Sequence, residues 1–465
     1  MRITSALAAT AAALSLVGCT CVDRSDVIRV KATEGDATAA IQGAIDRAFT
    51  AGGGKVVIGC GRWNVKALRL RSRVTLHLEA GAEIRGSRNI DDYFILDNDT
   101  IEPVPSEWIT HEAWDIEQSC SKDNFTRYPA SRWNNGLIRL LNAEDAAIVG
   151  EPGSVIDGMN PFDPIGEENY RGPQGVSAIN CKRLTLKGYT IRNTGNWAHR
   201  IADTVGLDVD RVTCEAGHDG VHINGCDDVR IRRCTFRTGD DCVAGFDNTN
   251  VLVEDCILNT ACSGFRFAGT GVEIRRCHLN GPAQFGFRGS LSYEDKKAGA
   301  PSGKAKRWNV LSFFTYYADG THPVRQNAGA IRISDSTCDN VDRFLHYNYG
   351  NEKWQRGKPM TDITFERVTA TRVKMPISAW GDVRTPIDLT FKDCAISFSE
   401  PIGEFIRGAY IGKVELDRVC VRGVDGPVVR LWKADEKTPE VKLSRTIGVG
   451  KDPVKADGPW PVRGI

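Results

Sequence analysis

Short runs in which hydrophobic and polar residues alternate recur along the middle of this chain. Four of these runs read LDVDRVTC, VRIRRCTF, VLVEDCIL and VEIRRCHL. They begin at Leu207, Val229, Val251 and Val272, so their spacing is nearly constant. Alternation with a period of two is typical of a β-strand with one buried face. Runs of the same kind begin at Leu184, Ile363, Leu389 and Val414.

The length of this repeat favours a parallel β-helix. About 22 residues are too few for a pair of helices but enough for a coil of three short strands, and stacked coils bury one continuous core. A leucine-rich repeat is the rival at this period, but its LxxLxLxxN frame does not recur. We therefore predict an all-β protein, a right-handed parallel β-helix.

Four cysteines accompany the repeat. Cys214, Cys234, Cys256 and Cys277 follow one another at intervals close to the length of one repeat. Equivalent residues on neighbouring coils lie about 4.8 Å apart, so we interpret the four as a ladder of buried thiols that pack as small hydrophobic side chains. Because the chain has 15 cysteines, disulfides among the others are the alternative if it is exported.

The two ends and two interruptions differ from the repeat. Between Asp36 and Thr50 a short helix is predicted, capped by Asp36 and ended by three glycines, and it would cover the open end of the coil. Its buried face would comprise Ile41, Ile45, Ala48 and Phe49. Insertions are predicted near residues 97–135 and 290–327, within a single β-helix domain spanning 36–465. They would carry binding surfaces or shield the coil.

The N-terminus predicts export. Met1 and Arg2 form a basic start, and an apolar stretch leads to the sequence Leu-Val-Gly-Cys, which looks like a lipoprotein cleavage site. We expect residues 1–18 to be a signal peptide, Cys19 to be acylated and 19–35 to be a linker. The expected location is the bacterial periplasm, the outer membrane or the exterior, with membrane contact only through the lipid. Conventional secretion is the alternative.

Composition narrows the class of partner. Sixty basic and 59 acidic side chains leave a net charge of +1, which argues against a nucleic-acid binder. The chain is 41% hydrophobic and 26% charged, as expected of a folded soluble protein. We expect a monomer that acts on a polysaccharide or oligosaccharide.

Three carboxylates are candidates for chemistry. Asp219 lies in HDGVHING, and Asp240 and Asp241 lie in TGDDCVAG, one coil later. Asp240 and Asp241 can share a surface only if the chain bends, which Gly239 permits. Repulsion should make at least one carboxyl keep its proton, as glycoside hydrolysis requires. A solvated acidic turn or a calcium site is the alternative, although the DxDxDG frame is absent.

With these motifs in view, residues 36–377 resemble glycoside hydrolase family 28, the polygalacturonase family. The similar segments are DATAAIQGAIDRAFTAGGGKVVI, VTLHLEAGAEIRGS, SVIDG and IRNTGNWAHR. HDGVHI falls where the family has Asn-Thr-Asp-Gly, and TGDDCVA is similar to its Gly-Asp-Asp motif. The resemblance implies inverting hydrolysis of a pectin-like substrate without a metal or other cofactor. In this scheme Asp240 is the general acid, and Asp219 and Asp241 activate water.

Two family motifs are missing. Cys262-Ser263-Gly264 stands in place of Gly-His-Gly, and FGFRGS in place of the Arg-Ile-Lys that binds the substrate carboxylate. Arg266 and Arg288, one repeat length apart, could stack as a substitute anion site, or both could be surface charges. The other candidates for substrate contact are His199, Arg200, His222 and Ser263.

Two other functions use the same fold. A polysaccharide lyase or epimerase would need a base for a sugar-ring proton, and a lyase would leave an unsaturated product. A non-catalytic carbohydrate-binding protein is suggested by the missing histidine, while the presence of all three aspartates argues against it.

Overall fold

The chain winds into a parallel β-helix. The computed structural model describes residues 27–31, 34–93, 134–318, 324–432, 437–450 and 453–456. The expected signal peptide, Cys19 and nearly all of the insertion at 97–135 lie outside these residues. Every pair of neighbouring strands in the described residues is parallel, as the repeat predicts; we number the three sheets by strand order within a coil.

Sheet 1 holds the first strand of each coil. Its strands are Leu68–Arg69, Gly136–Leu141, Gln174–Ile179, His199–Ala202, Val221–Asn224, Val310–Tyr316, Val341–Asn348, Ile377–Trp380, Ile406–Ala409, Val429–Leu431 and Val454–Ala456. Two longer strands, Val243–Glu254 and Ser263–Arg275, begin in sheet 1 and continue into sheet 2. Sheets 1 and 2 are therefore joined at these two coils.

Sheets 2 and 3 complete each coil. Sheet 2 comprises Val27–Arg29, Gly54–Ile58, Val74–Leu78, Ala147–Gly150, Lys182–Lys187, Val205–Asp210, Asp227–Arg232, Gly329–Ser334, Asp362–Glu366, Ile387–Lys392, Ile411–Asp417 and Glu440–Ser444. Sheet 3 comprises Gly61–Asn64, Ala82–Arg85, Val155–Asp157, Thr190–Arg192, Thr213–Ala216, Thr235–Thr238, Ile257–Thr260, His278–Asn280, Thr337–Asp339, Thr369–Val373, Ala395–Ile402 and Cys420–Val424.

Each repeat seen in the sequence is one strand of sheet 2, a turn of two residues, the first of which we call the turn residue, and one strand of sheet 3. The starts of the runs align in register, and Ile331 begins a further run between those at Val272 and Ile363. The turn residue has a positive φ, 52° at Arg211 and 53° at Arg233. A residue in this conformation turns the backbone, so the side chains that follow it exchange the inner and outer faces of the coil. The alternating pattern therefore recurs in short runs and not in long strands.

The cysteine ladder has three members rather than four. Cys234, Cys256 and Cys277 each immediately precede equivalent strands of sheet 3, whereas Cys214 lies inside its strand and pairs in register with Phe236. The interval from Cys214 to Cys234 is shorter than one coil because of this offset. All four cysteines are buried, and every cysteine in the described part of the chain is a free thiol.

A helix spanning Thr38–Thr50 packs on the first coils, as predicted. The N-cap residue is Ala37 and not Asp36 as predicted, although Asp36 Oδ1 accepts the Thr38 backbone N–H at 2.8 Å. The expected buried face is correct except for Phe49, which is 38% exposed, while Ala44 is buried instead. The Phe49 ring lies beneath the Arg71 guanidinium, 5.6 Å away.

The second predicted insertion is divided by a strand. Residues 281–309 leave the coil and include a short helix, Tyr293–Lys297, while Val310–Tyr316 returns to sheet 1. Phe313, Phe314 and Tyr316 are therefore core residues rather than loop residues. None of the helices in the described ranges is long and apolar enough to span a membrane.

Candidate active site

The three candidate carboxylates meet where sheet 3 turns into sheet 1. Asp219 precedes the strand Val221–Asn224, and Asp240 and Asp241 precede the next strand, Val243–Glu254. Their exposed fractions are 3%, 7% and 0%. The spacing of one coil therefore does bring the three acids onto neighbouring turns.

Backbone N–H groups hold two of these carboxylates. The Asp241 N–H donates to Asp219 Oδ1 at 3.2 Å, and the Ser263 N–H donates to Asp241 Oδ1 at 2.9 Å. The backbone at Asp241 thus positions Asp219, and the backbone at Ser263 positions Asp241. Ser263, a predicted substrate contact, is buried and supports Asp241 through its backbone.

Gly239 allows the turns to approach one another closely. A Cβ atom there would lie 2.4 Å from the Gly286 carbonyl oxygen and 2.6 Å from that of Gly217. Both contacts are with backbone, so neither neighbour can rotate away. The glycine is therefore required by close packing beside Asp240.

Burial and mutual repulsion raise the pKa of two of these acids. Burial raises the pKa of Asp219 well above its ordinary value, and the charges of Asp240 and Asp241 raise it further. Burial and the charge of Asp240 also raise the pKa of Asp241. This direction is the one that the repulsion argument predicts. When they are ionised, Asp219 and Asp241 are correspondingly stronger proton acceptors.

His222 supports Asp219 from the outer face of sheet 1. Its Nδ1 lies 2.6 Å from Asp219 Oδ2, within hydrogen-bond distance. The imidazole stacks on Trp197, with ring centroids 3.6 Å apart and planes 5° from parallel. Trp197 comes from the segment IRNTGNWAHR, so the coil before the acids contributes a wall of the site.

Arg266 is a partly exposed cation on this face. Its Nη1 lies 3.5 Å from Asp241 Oδ2, and its guanidinium stands 4.5 Å from the centroid of the Tyr317 ring. Ala244 separates Arg266 from His222 in register, and the Tyr317 ring contacts both of their side chains. A quarter of the Arg266 side chain remains exposed, so it can meet a ligand.

The expected stack of Arg266 on Arg288 is not observed. The residue in register after Arg266 is Thr315, because the insertion at 281–309 removes Arg288 from the coil count. Arg288 is 2% exposed, and its guanidinium donates to the carbonyl oxygens of Gly195 and Asn160, at 3.0 and 3.3 Å. In this position Arg288 ties turns together.

His199 does not face the site either. It is fully buried in the inward column of sheet 1, with Nδ1 2.9 Å from the Gly220 carbonyl oxygen and Nε2 2.9 Å from the Tyr189 hydroxyl. Burial lowers its pKa to about 4. It is a neutral core histidine. Arg200 faces outward in register with His222 but is 1% exposed.

Arg171 is a site residue that the sequence did not suggest. It lies in the turn before the strand Gln174–Ile179, and its Nη2 is 3.4 Å from Asp240 Oδ2. The turn belongs to no repeat and contains no family motif quoted above. Its only visible signal is the run of polar and charged residues GEENYRG.

Asp240, Asp241 and Cys262 could hold a cation. Oxygen and sulfur atoms of the three side chains lie within 4.8 Å of one another. Inverting hydrolysis requires no metal, so the expectation of a metal-free site stays a prediction.

A second concave surface lies elsewhere. A groove of about 720 Å³ runs along the outer face of sheet 2 and is lined by Arg183, Asp208, Arg230 and Glu273, among others. None of the three candidate acids lines it. The groove thus lies apart from the three buried acids.

Comparisons with known proteins agree with this architecture. A family model described as "Right handed beta helix region" matches residues 172–293. A Vitis vinifera protein named "Probable polygalacturonase" is 24% identical over 202 residues, 42% of this chain and 37% of the grapevine protein.

Two solved structures have the same fold. The family 28 exopolygalacturonase of Yersinia enterocolitica superposes with a TM-score of 0.55 at 15% identity, covering 94% of this chain and 79% of that chain. PfbA, a surface adhesin of Streptococcus pneumoniae, superposes with a TM-score of 0.52 at 13% identity, covering 89% and 94%. The chain is thus similar to polygalacturonases at low identity, and its fold is an all-β, right-handed parallel β-helix with an N-terminal helix, as the repeat predicts.

Proposed function

We propose that this protein is a glycoside hydrolase of the polygalacturonase type, acting with inversion on a pectin-like or other acidic polysaccharide. The observation that carries the proposal is the meeting of Asp219, Asp240 and Asp241 on two neighbouring turns, two of them held by backbone N–H groups. Fold similarity alone would not support it, because an adhesin shares the fold.

The proposed reaction needs an acid and a base. Asp240, the most exposed of the three, donates its proton to the glycosidic oxygen as the bond from that oxygen to the anomeric carbon breaks. Asp219 and Asp241 accept a proton from a water molecule, whose oxygen forms the new bond on the opposite face of the sugar. The configuration inverts at the anomeric carbon. Before the next turnover, Asp219 and Asp241 release the proton taken from water to the solvent, and Asp240 takes up a proton from the solvent.

Arg266 would hold an acidic sugar. It faces outward beside Asp241, and part of its guanidinium remains accessible, so a uronate carboxylate could accept a hydrogen bond from it. Tyr317 and Trp354, which lie beneath the guanidinium, limit its orientation.

The test is turnover by Asp240→Asn. On a panel of pectic, other uronic and neutral polysaccharides, the wild-type protein should release new reducing ends, and the variant should lose at least about 100-fold of the rate. The thermal midpoint should change little, because Asn preserves the shape of Asp. A variant with more than about a tenth of the wild-type rate would show that Asp240 is not the acid.

A carbohydrate-binding protein without catalysis is the second candidate. It is favoured by Ser263, which stands where the family has a histidine, and by the fold shared with an adhesin. Binding of an oligosaccharide that survives long incubation uncleaved would support this candidate.

Export with a lipid on Cys19 is part of the proposal. It rests on the sequence around that residue. Incorporation of a labelled fatty acid by the wild-type protein, and its loss in Cys19→Ala, would test it.

A further inference from the structure

Two tryptophans form a partly exposed pair on the outer face of sheet 1. Trp380 ends one strand, and Trp432 directly follows the strand two coils later. On the strand between them Ala409 is in register with Trp380, and the two indole rings meet with their centroids 5.0 Å apart. In the described part of the chain, the hydrophobic core packs against neither ring. This tryptophan pair is therefore an aromatic surface that a ligand can reach.

Two arginines lie beside the tryptophan pair and share one buried acid. Arg407 and Arg430 are in register with each other and precede Ala409 and Trp432 by two residues, so they lie on the same outer face. Glu404, which is 2% exposed, accepts a hydrogen bond from the Nε of Arg407 at 2.6 Å and from the Nε of Arg430 at 3.1 Å. This arginine pair is thus held in place and keeps a net positive charge with its acid. The Arg407 side chain is 40% exposed.

Both pairs continue the surface that carries Arg266. Successive coils of sheet 1 place one outward residue each in register after Arg266, namely Thr315, His346, Ser378, Arg407 and Arg430. None of these five residues is acidic. Trp380 lies four coils after the strand that follows Asp240 and Asp241, and Trp432 lies six coils after it. At about 4.8 Å per coil, a ligand that reaches from the acids to the tryptophan pair spans about 20–30 Å.

The chemistry of the two pairs fits an acidic sugar chain. The C–H groups on one face of a sugar ring pack on an indole, and a uronate carboxylate accepts hydrogen bonds from a guanidinium. Two acids at the edge of this surface have partners of their own, Glu352 with His346 and Asp382 with Arg384. Both pairs lie beyond residue 377, where the resemblance to the polygalacturonase family ends, so that resemblance implies nothing about them.

We propose that the tryptophan pair and the arginine pair form a second binding site, here called the distal site, for the acidic polysaccharide that the aspartates cleave. The identity of the ligand rests on the proposed function, and the site rests on the contacts described above. A chain held at the distal site and at Arg266 together binds more tightly than at either alone. A short oligosaccharide over the acids cannot reach the distal site, so the protein should prefer long chains.

Binding tests the distal site without hydrolysis. The probes are polygalacturonate and its carboxyl-reduced form, titrated into Asp240→Asn so that neither chain is shortened. In this background Trp380→Ala should weaken binding of both probes about two- to tenfold. Arg407→Gln should weaken binding of polygalacturonate about tenfold and of the reduced chain far less. Trp432→Ala, at the other end of the pair, should repeat the effect of Trp380→Ala, and thermal midpoints identify any variant that does not fold.

Arg418→Gln is the matched control. It removes an ion-paired arginine with the same 40% exposure from the turn between sheets 2 and 3, so both affinities should stay unchanged. The distal site would be ruled out if folded tryptophan and arginine variants all bound polygalacturonate as tightly as their parent, or if the parent did not bind it.

Chain length tests the role of the distal site in turnover. The ratio of kcat/KM on polygalacturonate to kcat/KM on its trisaccharide should fall about tenfold in Arg407→Gln and should not change in Arg418→Gln. An unchanged ratio in Arg407→Gln would overturn the proposal. Failure of the proposed function is recognised separately, because a wild type that cleaves nothing leaves the binding test intact.

Discussion

At the scale of single residues, burial separates side chains that sequence spacing could not distinguish. Arg266 and Arg288 are one repeat length apart in sequence, yet Arg266 is partly exposed beside Asp241 and Arg288 is bound to backbone carbonyl groups. Spacing misled because an insertion longer than one coil, 281–309, takes Arg288 out of register. The three aspartates were predictable because no insertion lies between them.

Arginine variants test this distinction. Arg288→Ala should lower the free energy of unfolding by on the order of 2–3 kcal/mol, because charged hydrogen bonds to buried carbonyl groups are lost. Arg266→Ala should change stability much less but reduce kcat/KM on an acidic substrate about ten- to hundredfold, and far less on the carboxyl-reduced substrate. Thermal midpoints and kinetics on both substrates provide the measurement. Equal losses of stability would contradict the assignment.

At the scale of elements, the sequence predicts strands better than it predicts insertions. Alternation that recurs once per coil identifies sheet 2 and sheet 3 because each run buries the same positions in every coil. The strand Val310–Tyr316 was missed because insertions on both sides remove its period. Arg171 was also missed. It lies in a turn that does not recur from coil to coil, so no repeat in the sequence indicates its position.

The cysteine ladder predicts a pattern of thiol reactivity. Cys234, Cys256 and Cys277 are buried, so they should resist alkylation in the native protein and react only after unfolding. Cys60 is exposed and should react at once, which provides an internal control. Mass spectrometry after labelling gives the result. Disulfides among the three ladder cysteines would contradict the ladder.

The N-terminal helix predicts a contrast between two of its residues. Ile45 is fully buried against the first coils, so Ile45→Ala should lower the free energy of unfolding by about 2–5 kcal/mol. Phe49 is 38% exposed, so Phe49→Ala should have a much smaller effect. Thermal midpoints of the two variants test the observed face against the one predicted from sequence. A larger loss for Phe49→Ala would contradict the structure.

At the scale of the whole molecule, the buried acids should make stability fall as pH rises. Glu167 lies beside Arg171, and desolvation raises its pKa to about 7 in the folded protein, above the ordinary value of 4.5. Between these values the folded protein therefore binds a proton more tightly than the unfolded chain. The contribution of Glu167 to the free energy of unfolding is therefore fully present below about pH 4.5 and is lost as pH rises through 7. Asp219 and Asp241 act in the same direction.

Glu167→Gln should remove this residue's share of the pH dependence. The thermal midpoint of Glu167→Gln minus that of the wild type should increase from pH 5 to pH 8, because Gln does not have to ionise in this partly buried position. Circular dichroism melts at several pH values provide the measurement. A difference between the two proteins that is constant with pH would show that Glu167 does not titrate in this range.

The central claim is that the aspartate trio hydrolyses a glycosidic bond with inversion. Its most direct test is ¹H NMR of the anomeric protons during the first minutes of reaction on whichever panel polysaccharide the protein cleaves. We predict that the released reducing end first appears as the anomer opposite to the bond cleaved, and that Asp219→Asn, Asp240→Asn and Asp241→Asn each abolish its release. First appearance of the same anomer, or an unsaturated product absorbing in the ultraviolet, would contradict the account.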